Sequence, residues 1–576
     1  MKKFRVPNYD VNVEPYELLV INTPTFQRLF RLQQLGLAYT VYPFATYTRA
    51  AHAIETLNYA QRIIDSLKDR YPIGDDDIKR IRMAALLHDI AHLPYSHTLE
   101  DENIVFPQKH DKKDRLEKFL TNLKKEIVTP DRNKLSLLEP NKQTWELALK
   151  LVDQAKLVLL TISYGEKKQT EGVELLSPED WYIADIVGNT ISADLLAYIK
   201  RDVEYTGIEK RHGGYRIFDY LKIAKDKDGR NRLAIGLIKA GFRIDVFSAI
   251  LDVLDIRYAL MERVVFHHGK CAASAMLARA ARLLNLQETE DLYTIGDELF
   301  LHSLLETARK VEKKEGKELR ETKDAACRLI ERLCSRIFYK RVYKVTRGER
   351  IEYNKSHQFD LCSRFRDPAK SAEFENDIED QFKLPRGSIA IFCPDEKMNL
   401  KEAKVMVDLG KTYVYPLNDD KFKDEYPKFW ERVDQIESRY EELWYYYVFI
   451  EPDQFGKAAL IQQYLYEKME VKNDPLLDLY LQDKPEYQRS REFVRIAAKR
   501  SNEVKSNALD GLLQQAAWDG RPESWEHASR TALDGAMMLQ LERAPYKKEE
   551  GRESKEVEDK LPLFGQKKEK NGADQG

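Results

Sequence analysis

The chain has 576 residues, which predicts more than one domain, because single hydrophobic cores rarely grow beyond about 250–300 residues. Lysine and arginine total 94 against 96 aspartates and glutamates, so the formal net charge is -2. This balance argues against a broadly basic, nucleic-acid-binding protein. Local basic patches keep nucleic acid open as a partner, but composition does not favour it.

Cysteine usage and hydropathy indicate the compartment. None of the five cysteines lies in a CxxC pair, which argues against a sulfur-ligated zinc site, and an odd, unpatterned count is typical of a reducing cytosol. The N-terminal lysines are followed by no apolar stretch, and no apolar run approaches the ~20 residues of a transmembrane helix. The sequence therefore predicts a cytoplasmic protein without a membrane partner.

Helical periodicity dominates the first two hundred residues. Proline-broken extended segments and turns are expected over residues 1–25, and a helix from Thr25 is expected to end near Gly36. Further helices are predicted over 50–70, 78–92, 110–127, 143–162 and, with a break near Gly188, 177–199. This density of helices indicates a helical bundle.

The pattern becomes mixed after about residue 210. Strands are predicted at 215–218 and 232–238, long helices at 243–286 and 294–337, and short strands within 340–421 and at 444–451. The predicted fold class is mainly α, with a smaller α+β region toward the C-terminus. The predicted domains are a core over 1–275, a helical and mixed α+β extension over 276–421, a mostly helical region over 422–545 and a disordered charged tail over 546–576.

Histidine is scarce in this chain, yet several histidines cluster around the segment AALLHDIAHLPYSH. His88 and Asp89 are adjacent at the end of an apolar helix, where both side chains could reach one cation. His92 follows His88 by four residues, which predicts that both lie on one helical face. His52, on the preceding helix, could close the site, and Asp194 in the apolar stretch ISADLLAYI is the candidate for a fourth ligand.

This nitrogen and oxygen donor set suits a borderline or hard divalent ion, and the sequence leaves open whether the ion is Mn, Fe, Mg, Zn, Ni or Co. Such a site leaves coordination positions for water and a phosphate oxygen. A metal there would lower the pKa of bound water and polarise a phosphoryl group. The chemistry that this pattern favours is hydrolysis at phosphorus.

At these residues the chain resembles the HD-domain superfamily, and within it the SAMHD-like deoxynucleotide triphosphohydrolases. The resemblance rests on four segments in the order and spacing of that family: INTPTFQRLFRLQQLG, VYPFATYTRAAH, AALLHDIAHLPYSH and ISADLLAYIKRDVEYTGI. They cover roughly residues 10–270. The resemblance implies a helical HD domain, a deoxynucleoside triphosphate (dNTP) substrate and a homo-oligomer.

The resemblance also implies roles for individual residues. It implies metal ligation by His52, His88, Asp89 and Asp194. It implies that His92, His97 and His110 line the phosphates, with Glu100 paired to His110, and that one or more of these groups acts as general acid or orienting group. It implies substrate contacts by Arg49 with the α-phosphate, by Gln34 and Leu35 with the sugar, by Tyr198 and Asp202 on the sugar and base side, and by Arg257 and His267.

Departures from the family keep other functions open. Leu195 stands where the triphosphatases usually have a phosphate-binding lysine, and Val265 stands where an aromatic stacking residue is expected. Both favour a second hypothesis, a different nucleotide phosphatase, a phosphodiesterase or a nuclease. Asn22 and Phe30 occupy positions that carry charges in nucleotide-activated members. A third hypothesis is a nucleotide-binding sensor or scaffold without turnover, which the large unassigned C-terminal half favours.

Overall fold

The computed structural model describes residues 2–6, 9–106, 108–128, 142–165, 172–210, 215–310, 316–347, 355–395 and 401–504. The fold is mainly α with a smaller α+β region, as predicted from the sequence. The α-helices are α1 Pro15–Ile21, α2 Pro24–Gln27, α3 Arg49–Leu67, α4 Asp75–Leu87, α5 Lys113–Val128, α6 Lys142–Tyr164, α7 Trp181–Gly188, α8 Ala193–Thr206, α9 Tyr215–Phe218, α10 Ile244–Leu260, α11 His268–Leu283, α12 Asp297–Arg309, α13 Lys317–Cys334, α14 Lys355–Phe365, α15 Pro368–Gln381, α16 Asp420–Glu425, α17 Pro427–Glu441, α18 Ala458–Met469, α19 Pro475–Gln482 and α20 Pro485–Val504.

The strands of the described residues form three small sheets. They are β1 Lys2–Val6, β2 Tyr9–Val13, β3 Leu221–Lys225, β4 Asn231–Gly236, β5 Lys340–Thr346, β6 Ile389–Phe392, β7 Met406–Asp408, β8 Tyr415–Pro416 and β9 Tyr445–Ile450. β1 and β2 form an antiparallel hairpin. The other sheets have the orders β3-β4-β7-β8 and β5-β9-β6, in which only the β4–β7 pair is parallel.

Helices α3, α4 and α8 form the part of the bundle that carries the candidate site. Thr48 begins α3 by accepting a hydrogen bond from the backbone N–H of Ala51, and Ser192 begins α8 by accepting one from Leu195. Three aspartates in the first turn of α4 stabilise the start of this helix, because their negative charges interact favourably with the positive end of the helix dipole. The apolar faces of α3 pack against both α4 and α8, so the ends of these helices are brought together.

The hydrophobic core is continuous along most of the described chain. Buried apolar side chains from Val11 to Phe493 form one connected cluster. The expected boundary at residue 275 falls inside α11, and the one at 421 falls inside α16. The division into domains stays a prediction, and its charged tail at 546–576 lies outside the described residues.

Several predicted elements differ from the structure. Residues 215–218 form helix α9 rather than a strand, because a four-residue segment with three apolar or aromatic residues does not by itself distinguish the two. The helix expected from Thr25 is short and continues as 3-10 turns at 28–31 and 36–40. The long helices at 243–286 and 294–337 are each interrupted. The strands predicted at 232–238 and 444–451 are confirmed as β4 and β9.

Among the described residues, no helix is both long and apolar enough to cross a membrane.

Candidate active site

The first predicted ligands come together where α3 faces α8. His52, in the first turn of α3, and Asp194, in the first turn of α8, are 142 residues apart in the chain. His52 Nε2 lies 3.0 Å from Asp194 Oδ1 and 3.1 Å from His88 Nε2. His88 Nε2 lies 3.6 Å from the same Asp194 oxygen. The three side chains therefore point one donor atom each at a common position.

His88 is the C-cap of α4, and Asp89 follows it in a turn. His88 Nδ1 lies 2.8 Å from the carbonyl oxygen of Ala85 and donates its N–H there, which orients the ring so that Nε2 faces His52 and Asp194. Two imidazole nitrogens at 3.1 Å beside a carboxylate oxygen satisfy one another poorly, whereas a cation satisfies all three. Asp89 Oδ1 lies 3.5 Å from His88 Nε2. The arrangement fits the predicted metal ligands.

The prediction that His92 shares a helical face with His88 is wrong, because α4 ends at Leu87. The chain turns after His88, and the backbone N–H of His92 donates to the carbonyl of Asp89. This turn places His92 Nε2 3.2 Å from Asp89 Oδ1. Asp89 therefore lies between two donor groups, one of His52, His88 and Asp194, and one of His92 and His110.

Electrostatics around the first group favour a bound cation. Burial opposes the charged form of His88, but the Asp89 and Asp194 carboxylates outweigh burial and raise the pKa of His88 to about 9. Burial also opposes ionised carboxylates, yet His88 and Arg49 hold the pKa of Asp89 well below its usual range. His52 and His88 lower the pKa of Asp194 in the same way. Both carboxylates are therefore anionic near neutral pH.

Three histidine rings form a second cluster beside Asp89. The His92 and His110 rings stack with centroids 3.6 Å apart, and the His97 ring meets them edge-on at 4.9 and 5.3 Å. Burial and the nearby charges of Arg49 and His110 hold the pKa of His92 well below its usual value. Burial acts on His110 too, but Glu100 outweighs it and raises the pKa of His110. The neutral His92 ring is therefore stacked on the His110 ring, which binds a proton more readily.

The expected pairing of Glu100 with His110 is present. His110 Nδ1 lies 3.2 Å from Glu100 Oε2, and the His110 backbone N–H donates to the same oxygen. The other Glu100 oxygen accepts a hydrogen bond from Arg115, whose Nη2 donates to Glu288 Oε2 at 2.6 Å. Glu100 and Arg115 are fully buried. Arg115 and Glu288, which no sequence pattern indicated, extend this chain of charges away from the histidines.

Arg49 binds both Asp89 and the turn that precedes His97. Its Nη1 donates to Asp89 Oδ2 at 2.6 Å, and its Nε donates to Ser96 Oγ at 2.8 Å. Tyr95 and Ser96 have φ of 56° and 42°, in the left-handed region that costs non-glycine residues about 1–2 kcal/mol each. The chain therefore maintains a strained turn immediately before His97. Ser96 is a further residue of the site that no sequence pattern indicated.

Arg28 binds the backbone of the segment that carries His92. It is completely buried, and its two terminal nitrogens donate to the carbonyls of His92 at 2.6 Å and Ile90 at 2.8 Å. Burial lowers the pKa of Arg28 to about 9. Both hydrogen bonds are to backbone carbonyls. The guanidinium therefore fixes the turn that carries Asp89 and His92 and does not bind their side chains through these bonds.

The predicted sugar-side residues Gln34 and Leu35 lie next to the start of α3. The backbone N–H of Gln34 donates to the carbonyl of Tyr47 at 3.0 Å. Its side-chain Oε1 is buried and has no hydrogen-bond partner among the described residues. A buried acceptor without a donor is costly, so this oxygen is available for a ligand hydroxyl.

The remaining predicted substrate residues lie on α8 or after it. Tyr198 stands beside the metal ligands, with its ring 6.4 Å from that of His52, and Arg257 lies over the Tyr198 ring at 5.1 Å. Asp202 accepts a hydrogen bond from the Tyr47 hydroxyl at 2.5 Å, and burial raises the pKa of Asp202 to about 6. His267 instead caps α11, where its Nδ1 accepts from the backbone N–H of Gly269.

Comparisons with known proteins agree with this geometry. The family model of the HD domain matches residues 49–158. The chain is 27% identical over 277 residues to an uncharacterized protein of Methanocaldococcus jannaschii, which covers 47% of this chain and 47% of that protein. It is 27% identical over 244 residues to the deoxynucleoside triphosphate triphosphohydrolase SAMHD1 of Gallus gallus, which covers 39% of this chain and 36% of SAMHD1. The matches to these relatives span less than half of their length.

A solved structure has the same overall fold. The crystal structure of a phosphohydrolase from Bacteroides thetaiotaomicron matches with a TM-score of 0.52 at 18% sequence identity, over 78% of this chain and 100% of that one. The matched HD domain and the SAMHD1 relatives support a relationship to the HD-domain phosphohydrolases over the matched residues, and the solved structure supports the fold.

Proposed function

We propose that the protein is a metal-dependent phosphohydrolase that cleaves dNTPs into a deoxynucleoside and tripolyphosphate. One observation carries the proposal: the ligand atoms of His52, His88 and Asp194 lie 3.0 to 3.6 Å from one another, with Asp89 and a histidine cluster directly beside them. The SAMHD1 relatives, whose name states this activity, support the substrate class.

His52, His88, Asp89 and Asp194 would hold the metal, and their nitrogen and oxygen donors suit Mn, Fe, Mg, Zn, Ni or Co. A divalent ion bound there supplies Lewis-acid polarisation of a phosphoryl oxygen and a water of lowered pKa. The hydrogen bond from His88 Nδ1 to the Ala85 carbonyl orients this ring, and the anionic carboxylates supply the negative charge that a cation needs. The chain therefore provides a preorganised ligand set.

The neighbouring residues are proposed to bind and orient the phosphates. Arg49, already held by Asp89 and Ser96, presents a fixed positive charge for the α-phosphate. His92 and His97 line the phosphate chain. His110 is proposed as the general acid, because Glu100 holds its Nδ1 and favours its protonated form. When water attacks the α-phosphorus and the bond to the 5′-oxygen breaks, Nε2 would give its proton to that oxygen of the leaving deoxynucleoside.

The sugar and base are proposed to lie between the start of α3 and helix α8. The unpartnered Gln34 Oε1 would accept a hydrogen bond from the sugar hydroxyl, and Leu35 beside it would leave no room for a 2′-hydroxyl. Tyr198 and Asp202 would contact the sugar and base side, and Arg257 and His267 are proposed further contacts. The proposal also includes a cytoplasmic location and a homo-oligomeric state.

One observation favours a different nucleotide phosphatase or a phosphodiesterase. Leu195 directly follows the ligand Asp194, and its side chain is buried in the apolar core. The position therefore contributes no cation to a triphosphate. An enzyme for a monophosphate or a phosphodiester needs fewer positive charges near the metal than an enzyme for a triphosphate does.

The test incubates the purified protein with Mn, Mg, Fe or Co and, separately, each dNTP, each NTP and a short single-stranded oligonucleotide. Products are resolved by ion-pair chromatography, with Asp89→Ala as the control variant. Deoxynucleoside and tripolyphosphate that disappear in the variant would support the proposal. Cleavage of the oligonucleotide alone would favour the second candidate. Bound nucleotide without any turnover would leave the sensor hypothesis.

A further inference from the structure

A carboxylate from outside the matched HD domain bridges two segments of the candidate site. Asp297 begins helix α12 and its side chain is buried, with 5% of the residue exposed. Asp297 Oδ2 accepts a hydrogen bond from the backbone N–H of Gln33 at 2.7 Å. Asp297 Oδ1 accepts one from the backbone N–H of Tyr95, also at 2.7 Å. One side chain thus holds two backbone amides that are 62 residues apart.

The two amides belong to segments that contact each other. Gly36 lies so close to the turn after Tyr95 that a Cβ added there would stand 3.4 Å from Thr98 Oγ1 and 3.8 Å from the Tyr95 carbonyl oxygen. Gln34, with its unpartnered side-chain oxygen, follows Gln33 directly. His97 follows the strained Tyr95–Ser96 turn. Asp297 therefore ties the predicted sugar-side segment to the predicted phosphate-side segment.

The start of α12 is built for this contact. A Cβ added at Gly296 would lie 2.4 Å from Arg31 Cβ and 2.5 Å from the Arg31 carbonyl oxygen, so only glycine allows α12 to approach this closely. Arg31 also donates to the carbonyl of Thr294 at 3.3 Å. The backbone before Gln33 and the N-terminus of α12 are thus in direct contact, and the position of Asp297 depends on that contact.

We propose that Asp297 is a positioning residue that fixes the Gln33–Gly36 segment against the Tyr95–His97 turn and thereby sets the discrimination between deoxyribose and ribose. The substrate part of this inference rests on the proposed dNTP hydrolysis. Asp297 acts through backbone amides, so it contributes geometry rather than a contact with the reacting atoms. Burial raises its pKa to about 6, which leaves it largely ionised, as an acceptor of two N–H groups, at neutral pH.

Two variants perturb the bridge in different ways. Asp297→Asn keeps the shape of the side chain but turns an NH2 group toward one of the two backbone N–H donors. Gly296→Ala retains Asp297 and displaces the start of α12 from Arg31. The matched control is Glu298→Gln, which removes a carboxylate charge from the exposed neighbouring position on the same helix.

The experiment measures kcat and KM for each dNTP and its matching NTP, the metal content, and hydrogen–deuterium exchange of peptides that contain residues 31–36 and 93–98. For both bridge variants we expect kcat/KM for dNTPs to fall about 10- to 100-fold, mostly through kcat, because small misplacements of catalytic groups are costly. We expect the dNTP-to-NTP ratio to fall by about 10-fold, exchange to quicken in these two peptides, and metal content to stay unchanged. Glu298→Gln should match the wild type.

An unchanged dNTP-to-NTP ratio in both bridge variants would overturn the proposal. Faster exchange throughout the domain with an unchanged ratio would do so too, because it would assign Asp297 a general structural role. If the wild type hydrolyses no dNTP, the proposed function fails on that result alone. The positioning role of Asp297 is then tested with the same variants by two measurements. These are hydrogen–deuterium exchange at the two peptides and the ratio of the affinities for dATP and ATP, measured by calorimetry.

Discussion

Two clusters of buried charge lie in different parts of the molecule, one around Asp89 and the other between α11 and α15. In the second cluster, Arg279 Nη1 lies 2.8 Å from Glu375 Oε2, and Arg282 Nη2 donates to both Glu375 oxygens. Arg279 and Arg386 bind one oxygen of Glu379, and the backbone N–H of Ile389 binds the other. Every carboxylate oxygen of this cluster has a donor.

The polar atoms of the cluster around Asp89 are hydrogen-bonded less completely. Its ring nitrogens at His52 and His88 face each other at 3.1 Å, and the buried His92 Nδ1 has no hydrogen-bond partner among the described residues. Buried charge by itself therefore does not identify a functional site, since both clusters contain buried ion pairs. A better indication of a functional site is a set of buried polar atoms that lie close together without full hydrogen bonding. A bound ligand can supply the missing interactions at little structural cost.

The largest expected effect is on turnover. His88→Ala removes a predicted metal ligand, and we expect activity to fall at least ~10³-fold, equivalent to about 4 kcal/mol of transition-state stabilisation. Thermal unfolding with and without Mn checks the cause. Metal at ~100 times its Kd should stabilise the wild type by about 3 kcal/mol and the variant far less. An equal metal-induced shift in both proteins would contradict the ligand assignment.

The second largest effect is on stability. Glu375→Gln removes one carboxylate from the closed cluster and leaves Arg279 and Arg282 without their shared partner, so we expect the free energy of unfolding to fall by about 3–5 kcal/mol. Urea denaturation measures it. The variant should keep the metal-induced stabilisation of the wild type. Loss of that stabilisation would show that the two clusters are coupled and would weaken the comparison.

A third prediction concerns pH and Asp297. The pKa of Asp297 is raised from 3.8 to about 6, so the folded state binds this proton more tightly than the unfolded state does. Its contribution to stability is therefore present below about pH 4 and lost as the pH rises to about 6, by roughly 2 kcal/mol. Asp297→Asn should lack this loss. The measurement compares the free energy of unfolding of the wild type with that of Asp297→Asn. The same difference between the two proteins at pH 4.5 and at pH 7 would contradict the prediction.

The smallest effect is expected at Glu288, at the far end of the chain of charges behind His110. Glu288→Gln leaves Arg115 with Glu100 as its remaining anionic partner, which draws Glu100 away from His110 Nδ1. We expect kcat to fall ~3- to 10-fold, with unchanged metal content. Kinetics with His110→Ala as a second variant test the route. Glu288→Gln should have no further effect in that background, and additive losses would argue against a shared route.

Much of the candidate site could be predicted because its chemistry is local in the chain. His88 and Asp89 are neighbours at the end of an apolar helix, and Arg49 and His52 lie one turn apart on α3, as their spacing predicts. Asp194, Tyr198 and Asp202 likewise share α8. The mainly α fold also followed from periodicity, since apolar faces of helices must be buried against one another.

Other features were decided only by the tertiary structure. The end of α4 at Leu87 overrode a helical pattern that continued to His92, because the turn at Asp89 is held by Arg28 and Arg49 from other segments. Asp297 reaches Gln33 across 264 residues, a contact that no local pattern encodes. By itself, the sequence determined which residue types could bind a metal and a phosphate. The packing of distant helices decided which loops those residues stand on, because long-range contacts are fixed by the whole core rather than by neighbours in the chain.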